Sequence, residues 1–486
     1  MEQTGRDTVD NDKGTVISSR ENTASRNTVT INAEKDVEVT LKDLNIDGRS
    51  QNKAAVSVTG SGNTTIELDG SNTLKSGSGH AGLEHNKTDT SGELTIQDND
   101  KNGSLKAAGG QYGAGIGGAG AANDAQVKIT GGKITATGGE FGAGIGGGFK
   151  GSGDVTITGG EIHANGGSYS AGIGGGEYSS GKVTISGGEI TATGSYLGAG
   201  IGGGEKGSGD VTITGGEITA NGGSYGAGIG GGKGVYLASD KKIHGGDGKV
   251  TITGGKITAT SKSFGAGIGG GSNGSGDVTI EGNTEVNAAG GTGGAGIGSG
   301  AGDAKANITL EGKVTIVAKA GDGNVAIGDI NGEQELNGLA PGSNVTRSDS
   351  EGNDISLPGD KVPTPSGGDT AGGGSTDGDS AGGGSAGGDS AGGGSTGGGS
   401  TGGDSTGGDS TGGDSADVSV QESVFPGLVV TGKDGQRTSY TSIRGNNILS
   451  LRVGRFTASF RISLSTLRQL RAEGIDTITF QTILCS

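Results

Sequence analysis

Six aromatic residues, Tyr112, Phe141, Tyr169, Tyr196, Tyr225 and Phe264, recur at nearly even spacing, each four or five residues ahead of an isoleucine in an Ala-Gly-Ile-Gly segment. They are six of fourteen aromatics in the chain. An aromatic ring offers an apolar face and, in tyrosine, a polar tip, which is the chemistry that stacks on a sugar ring. These six are therefore the candidate ligand-binding residues, presented along a groove to a polysaccharide. The same column would also serve as an internal ladder closing one end of a core. In Tyr225-Gly226-Ala227-Gly228-Ile229, strict alternation gives the tyrosine the phase of the alanine and isoleucine, so parity expects the rings to point inward.

Three other columns keep the same beat. Thr156, Thr184, Thr212, Thr251 and Thr279, with Thr158, Thr214 and Thr253 two residues on, form a Thr-x-Thr array interrupted at Lys128 and Ser186. The array resembles the surface of β-solenoid ice-binding proteins, although the β-propensity of threonine accounts for it equally. Asp154, Asp210 and Asp277 stand in Gly-Ser-Gly-Asp corners and would offer stacked carboxylates to Ca²⁺. The calcium β-roll motif is not matched, and solvated turns are the plainer reading. Glu161, Glu189 and Glu217 occur one per repeat, which reads as a surface stripe rather than an acid–base pair. His80, His85, His163 and His244 are scattered, and no zinc spacing, phosphate loop or nucleophile elbow is present, so no catalytic residue, metal or cofactor is expected.

The elements that position these columns follow from glycine and periodicity. Glycine accounts for 117 of 486 residues, and 23 of these fall in 366–416, a run of Gly, Ser, Thr, Asp and Ala alone. The other 94 must have a structural task. Collagen is excluded by the absence of a Gly-X-Y period, and helix by the cost of about 1 kcal/mol per interior glycine. The repeat isoleucines Ile116, Ile145, Ile173, Ile201, Ile229, Ile268 and Ile297 are 28 or 29 residues apart except for one step of 39, which an extra loop over 233–244 explains. Val127, Val155, Val183, Val211, Val250 and Val278 each open a V-x-I strand, and runs such as Glu217-Ile218-Thr219-Ala220 supply a third. Val211, Ile213, Ile218 and Ala220 should point inward and Thr212, Thr214 and Thr219 outward. One repeat cannot bury its apolar side alone, whereas stacked repeats share a narrow core. The fold expected is all-β: a right-handed parallel β-helix of about ten coils over 37–340, rising about 4.8 Å per coil.

Segment 1–36 reads as a disordered or capping lead-in, 341–416 as a flexible acidic linker, and 417–486 as a small α+β module whose end suggests truncation, with a helix over 465–474. The net charge of −17 argues against nucleic acid as a partner, and no run of 18 apolar residues offers a membrane span. The last module is basic by contrast, and Arg444, Arg452, Arg455, Arg461, Arg468 and Arg471 would suit an anionic cell-wall polymer or form a solvated surface.

Residues 37–329 resemble the glycine-rich β-helix repeats of Gram-positive cell-surface proteins, many described as carbohydrate-binding. The likeness rests on Thr64-Thr65-Ile66-Glu67-Leu68-Asp69-Gly70-Ser71-Asn72-Thr73-Leu74, on His80-Ala81-Gly82-Leu83, and on the tandem V-T-I-T-G-G-E-I-T-A-x-G-G pattern, as in 211–223. The resemblance implies an extracellular or cell-surface protein that engages polysaccharide or host glycan without catalysis. A purely structural stalk is the alternative, and a polysaccharide lyase or hydrolase the third. Lyases on this fold commonly use an Arg or Lys base beside calcium-binding Asp, and no arginine occurs between Arg49 and Arg347.

Overall fold

Each coil is folded by short alternating stretches that bury every second residue. In residues 209–230, Val211, Ile213, Ile218, Ala220, Ala227 and Ile229 are at most 1 % exposed, while Thr212, Thr214 and Thr219 face outward. Full burial of one such aliphatic side chain contributes roughly 1.5–3 kcal/mol, so the core gains stability coil by coil. The computed structural model describes residues 7–363, except 11–12, 20–22, 122–123, 238–241 and 337. Beyond these it describes five strands between 428 and 482 and residues 470–471. The chain divides into two units, Met1–Pro365 and Ser366–Ser486.

The first unit is a parallel β-solenoid whose coils contribute one strand to each of three sheets. The V-x-I sheet has 11 strands, from Lys13–Ser18 to Ala306–Glu311. A second 11-stranded sheet runs from Asn45–Asp47 to Asn344–Ser348 and holds the E-I-T-A stretches. The third has 13 strands, from Asp7–Asp10 to Gly332–Glu333, and its members from Ile116–Gly117 to Ile297–Gly298 are two residues long. Pairing is in register and parallel, as in Val183↔Val211↔Val250, and the last pair of the third sheet turns antiparallel. The solenoid has about eleven turns, one more than the spacing alone suggests. Lys13–Ser18, within the expected lead-in, pairs with Val37–Lys42, and Asn344–Ser348, within the expected linker, pairs with Val314–Lys319. The 39-residue step holds an antiparallel hairpin of Val235–Leu237 with Lys242–His244.

The core is aliphatic: no phenylalanine or tyrosine is among its buried residues. Its C-terminal end is closed by an ion pair. Arg347 is fully buried, donates two bonds of 2.9 Å to the Asp360 carboxylate and one of 2.7 Å to Glu333, and reaches the Gln334 carbonyl at 2.8 Å. Glu333 in turn accepts the N–H groups of Ala326 and Ile327 on the last coil.

In the second unit, Leu428–Gly432 pairs antiparallel with Ala458–Ile462. Ile448–Val453 lies between Thr441–Gly445, antiparallel, and Thr477–Thr482, parallel. The 366–416 run and, but for residues 470–471, the helix expected over 465–474 lie outside the described residues.

Candidate functional site

The aromatic column lies on the outside. Tyr112 and Phe264 are each 36 % exposed and Tyr196 54 %, while Phe141, Tyr169 and Tyr225 are partly exposed. The inward orientation expected from parity is therefore corrected. Alternation holds only along extended chain, and the residues between Tyr225 and the two-residue strand Ile229–Gly230 form bends that break the phase. Main-chain bonds define the column: the N–H groups of Phe141, Tyr169, Leu197, Tyr225 and Phe264 donate to Gln111, Glu140, Ser168, Tyr196 and Ser224 of the preceding coils. Leu197, and not Tyr196, thus continues the ladder. Tyr196 sits one place earlier and projects further.

The rings form two stacks separated by Leu197. Tyr112 and Phe141, then Phe141 and Tyr169, lie 5.2 Å apart with interplanar angles of 17° and 21°. Tyr225 and Phe264 stack at 4.9 Å, and Tyr196 meets Tyr225 edge-on at 5.3 Å. Two aromatics that the spacing did not single out, Phe149 and Tyr178, extend the first stack: Phe149 contacts Tyr112 and Phe141 edge-on, and Tyr178 lies 6.0 Å from Phe149. Lysines cover this edge, with Lys206 Nζ 4.2 Å from the Tyr178 ring and Lys233 Nζ 5.1 Å from Tyr225. Glu177 lies buried beside Tyr178, and burial pushes its carboxyl upward, with Glu205 on the next coil adding to the shift. Within a stack each ring covers its neighbour's face, so the most accessible rings are Tyr178, 41 % exposed, and Tyr196.

A few residues further along each coil runs a groove of about 450 Å³. Its floor is the backbone at Ala125, Gly153, Gly181 and Gly209, and its walls include Ser152, Ser180, Ser208, Asp154, Lys182, Asp210 and Lys249. Register explains the corner acids: Asp154, Lys182, Asp210, Lys249 and Asp277 occupy one column in that order. Lys182 and Lys87 approach Asp154 at 3.4 and 3.6 Å, and Lys249 approaches Asp210 at 3.5 Å. No two of these carboxylates are on adjacent coils, so the column is not a stacked-carboxylate calcium ladder. Reading the acids without the lysines at the same place concealed the alternation.

The threonines stand where expected, as a partly exposed in-register column through Thr156, Thr184, Thr212, Thr251 and Thr279. In the glutamate column, Glu161 and Glu217 pair with Lys133 and Lys256, and the Lys133 hydrogen bond holds the Glu161 carboxyl below its ordinary range. The three carboxylates able to converge on one cation are Glu67, Asp98 and Asp100 among the described residues. Glu67 and Asp98 already accept hydrogen bonds from Asn99, Asn102 and Gly103. Of the C-terminal arginines, Arg444, Arg452 and Arg461 are on described strands, Arg471 is exposed, and Arg455 and Arg468 lie outside the described residues.

His80 and His85 lie on one coil, just before and at the end of the strand Leu83–His85. His80 Nδ1 lies 2.7 Å from the Glu84 carboxylate, whose hydrogen bond raises the imidazole above its usual value, whereas burial lowers His85. A raised folded-state value contributes stability that is fully present below the unfolded value of about 6.5 and is lost as pH rises through the folded value. An NMR titration should therefore place His80 above 6.5, and Glu84→Gln should bring it down. A wild-type value at or below 6.5 would contradict the pairing.

Residues 127–149, 155–177, 183–205, 211–233 and 250–272 each match a family model described as Beta helix repeat. Comparison with curated proteins and with solved structures found no match. The five tandem matches lie on five successive coils of the parallel β-solenoid, and the two findings together support a parallel β-helix repeat protein.

Proposed function

We propose that the protein is a non-catalytic, extracellular carbohydrate-binding surface protein and that its solenoid engages glycan along the aromatic edge. One observation carries this reading: all nine aromatics of the solenoid are at least partly exposed, and eight of them gather along one edge. Burying those rings would have contributed more to stability than leaving them wet, so their placement has a use beyond the core. Tyrosine faces flanked by Lys206, Lys233 and Glu205 combine an apolar platform with hydrogen-bonding groups, as sugar recognition requires. Repetition on successive coils would convert weak contacts into avidity.

The test is a glycan array probed with the full chain and with the Tyr178→Ala/Tyr196→Ala double variant. Because both side chains are exposed, the double variant should unfold within about 1 kcal/mol of wild type. At least one glycan signal should fall about tenfold in the variant, the equivalent of roughly 1.4 kcal/mol. If the full chain binds no glycan, or every signal survives the double substitution, the aromatic edge is not a binding surface.

A further inference from the structure

We propose that the groove over Ala125, Gly153, Gly181 and Gly209 is a second binding site, distinct from the aromatic edge, for a neutral, hydroxyl-rich polysaccharide chain lying along the solenoid axis. The shape of the site gives the direction. The floor is buried backbone without projecting side chains, open through four successive coils from Ala125 to Gly209. A ligand filling it must be long and narrow.

The lining chemistry narrows the class. Lys182 and Lys87 pair with Asp154 and Lys249 with Asp210, while Asp124 and Asp247 continue the serine column, so three lysines against four acids leave the site close to neutral. A polyanion gains nothing from such a field, and a polycation gains little. The ion pairs, at 3.4–3.6 Å, are solvent-exposed and of the weak kind. Their ammonium donors and carboxylate acceptors can therefore exchange partners with ligand hydroxyls, which both donate and accept. Ser152, Ser180 and Ser208 supply the same dual capacity on the opposite wall.

An extended peptide fits less well. It would have to bond the floor backbone, yet the N–H groups of Gly153, Gly181 and Gly209 already donate to Ser180, Ser208 and Asp247. Strand addition has no edge to use here. The repeat of the wall also suits a sugar chain. Acid and base alternate, so like charges recur every two coils, about 9.5 Å apart, which is close to the span of two pyranose residues in an extended chain. Successive disaccharide units would then meet equivalent surroundings.

Calorimetry on the full chain with cellohexaose, mannohexaose and a galacturonate hexamer tests the assignment. At least one neutral hexasaccharide should bind saturably with a Kd below about 1 mM. Ser180→Trp/Ser208→Trp, which fills the groove from exposed or half-exposed wall positions, should abolish that binding. Lys182→Ala/Lys249→Ala, less demanding on folding, should weaken it about fivefold or more. Lys133→Ala/Lys256→Ala, on the exposed glutamate column outside both the groove and the aromatic edge, should leave it within about twofold. The proposal is overturned if neither neutral sugar binds, if binding survives the groove variants or disappears with Lys133→Ala/Lys256→Ala, or if galacturonate binds more tightly.

Discussion

Gly202→Ala should cost roughly 3–6 kcal/mol and unzip the solenoid around its coil. Gly202 has φ +130°, a region essentially restricted to glycine, and a Cβ placed there would stand 2.0 Å from the Gly230 carbonyl oxygen of the next coil. The two terms add: backbone strain at the residue, and a collision that only separation of the coils relieves. Separation breaks the hydrogen bonds from Ile201 to Gly228 and from Gly203 to Gly230. Urea denaturation would measure the loss. Because each coil touches chiefly its neighbours, hydrogen exchange should lose protection around 201–230 before the distant coils do. Gly79, with open space where its Cβ would go, is the control: Gly79→Ala should stay within about 0.5 kcal/mol of wild type. Equal effects at the two positions would mean that close backbone approach is not what demands glycine.

Arg347→Met should cost about 3–5 kcal/mol, the usual penalty for removing one partner of a buried ion pair. The variant leaves Asp360, 1 % exposed, without its guanidinium, and releases Glu333 from the arrangement that holds the Ala326 and Ile327 amides. Amide exchange should quicken first at Ala326, Ile327 and Leu357, the last of which donates to Asp360. Adding Asp360→Leu should recover part of the loss, since an apolar pair avoids the stranded charge. A double variant no more stable than Arg347→Met would show that the cap depends on packing around the arginine and not on its charge.

These effects indicate how much of the molecule could be read from its residues. Val211, Ile213, Ile218 and Ala220 were legible as core because period-two alternation within a five-residue strand is a local property, and the 28-residue beat implies stacking. The 233–244 insertion was legible as an interruption of that beat. The outward turn of the aromatic column was not, because it depends on the bends between Tyr225 and Ile229, where alternation carries no information. Nor was the shift at Leu197, visible only once main-chain bonds align one coil with the next. The alternation of Asp154, Lys182, Asp210 and Lys249 was present in the spacing but acquired meaning only when register brought 28- and 39-residue separations to hydrogen-bonding range.

Sequence alone thus determined the parallel β-helix and the inward residues of its coils, since each repeat carries its own pattern of glycine and alternating aliphatics. Tertiary structure decided which side chains meet. Phe149 joined the aromatic edge, lysines paired with the corner acids Asp154 and Asp210, and Arg347 was drawn from a polar stretch of sequence into a fully buried cap. Those outcomes depend on coil-to-coil register and on turn geometry, which place residues about a coil apart in the chain within one another's electrostatic and van der Waals reach.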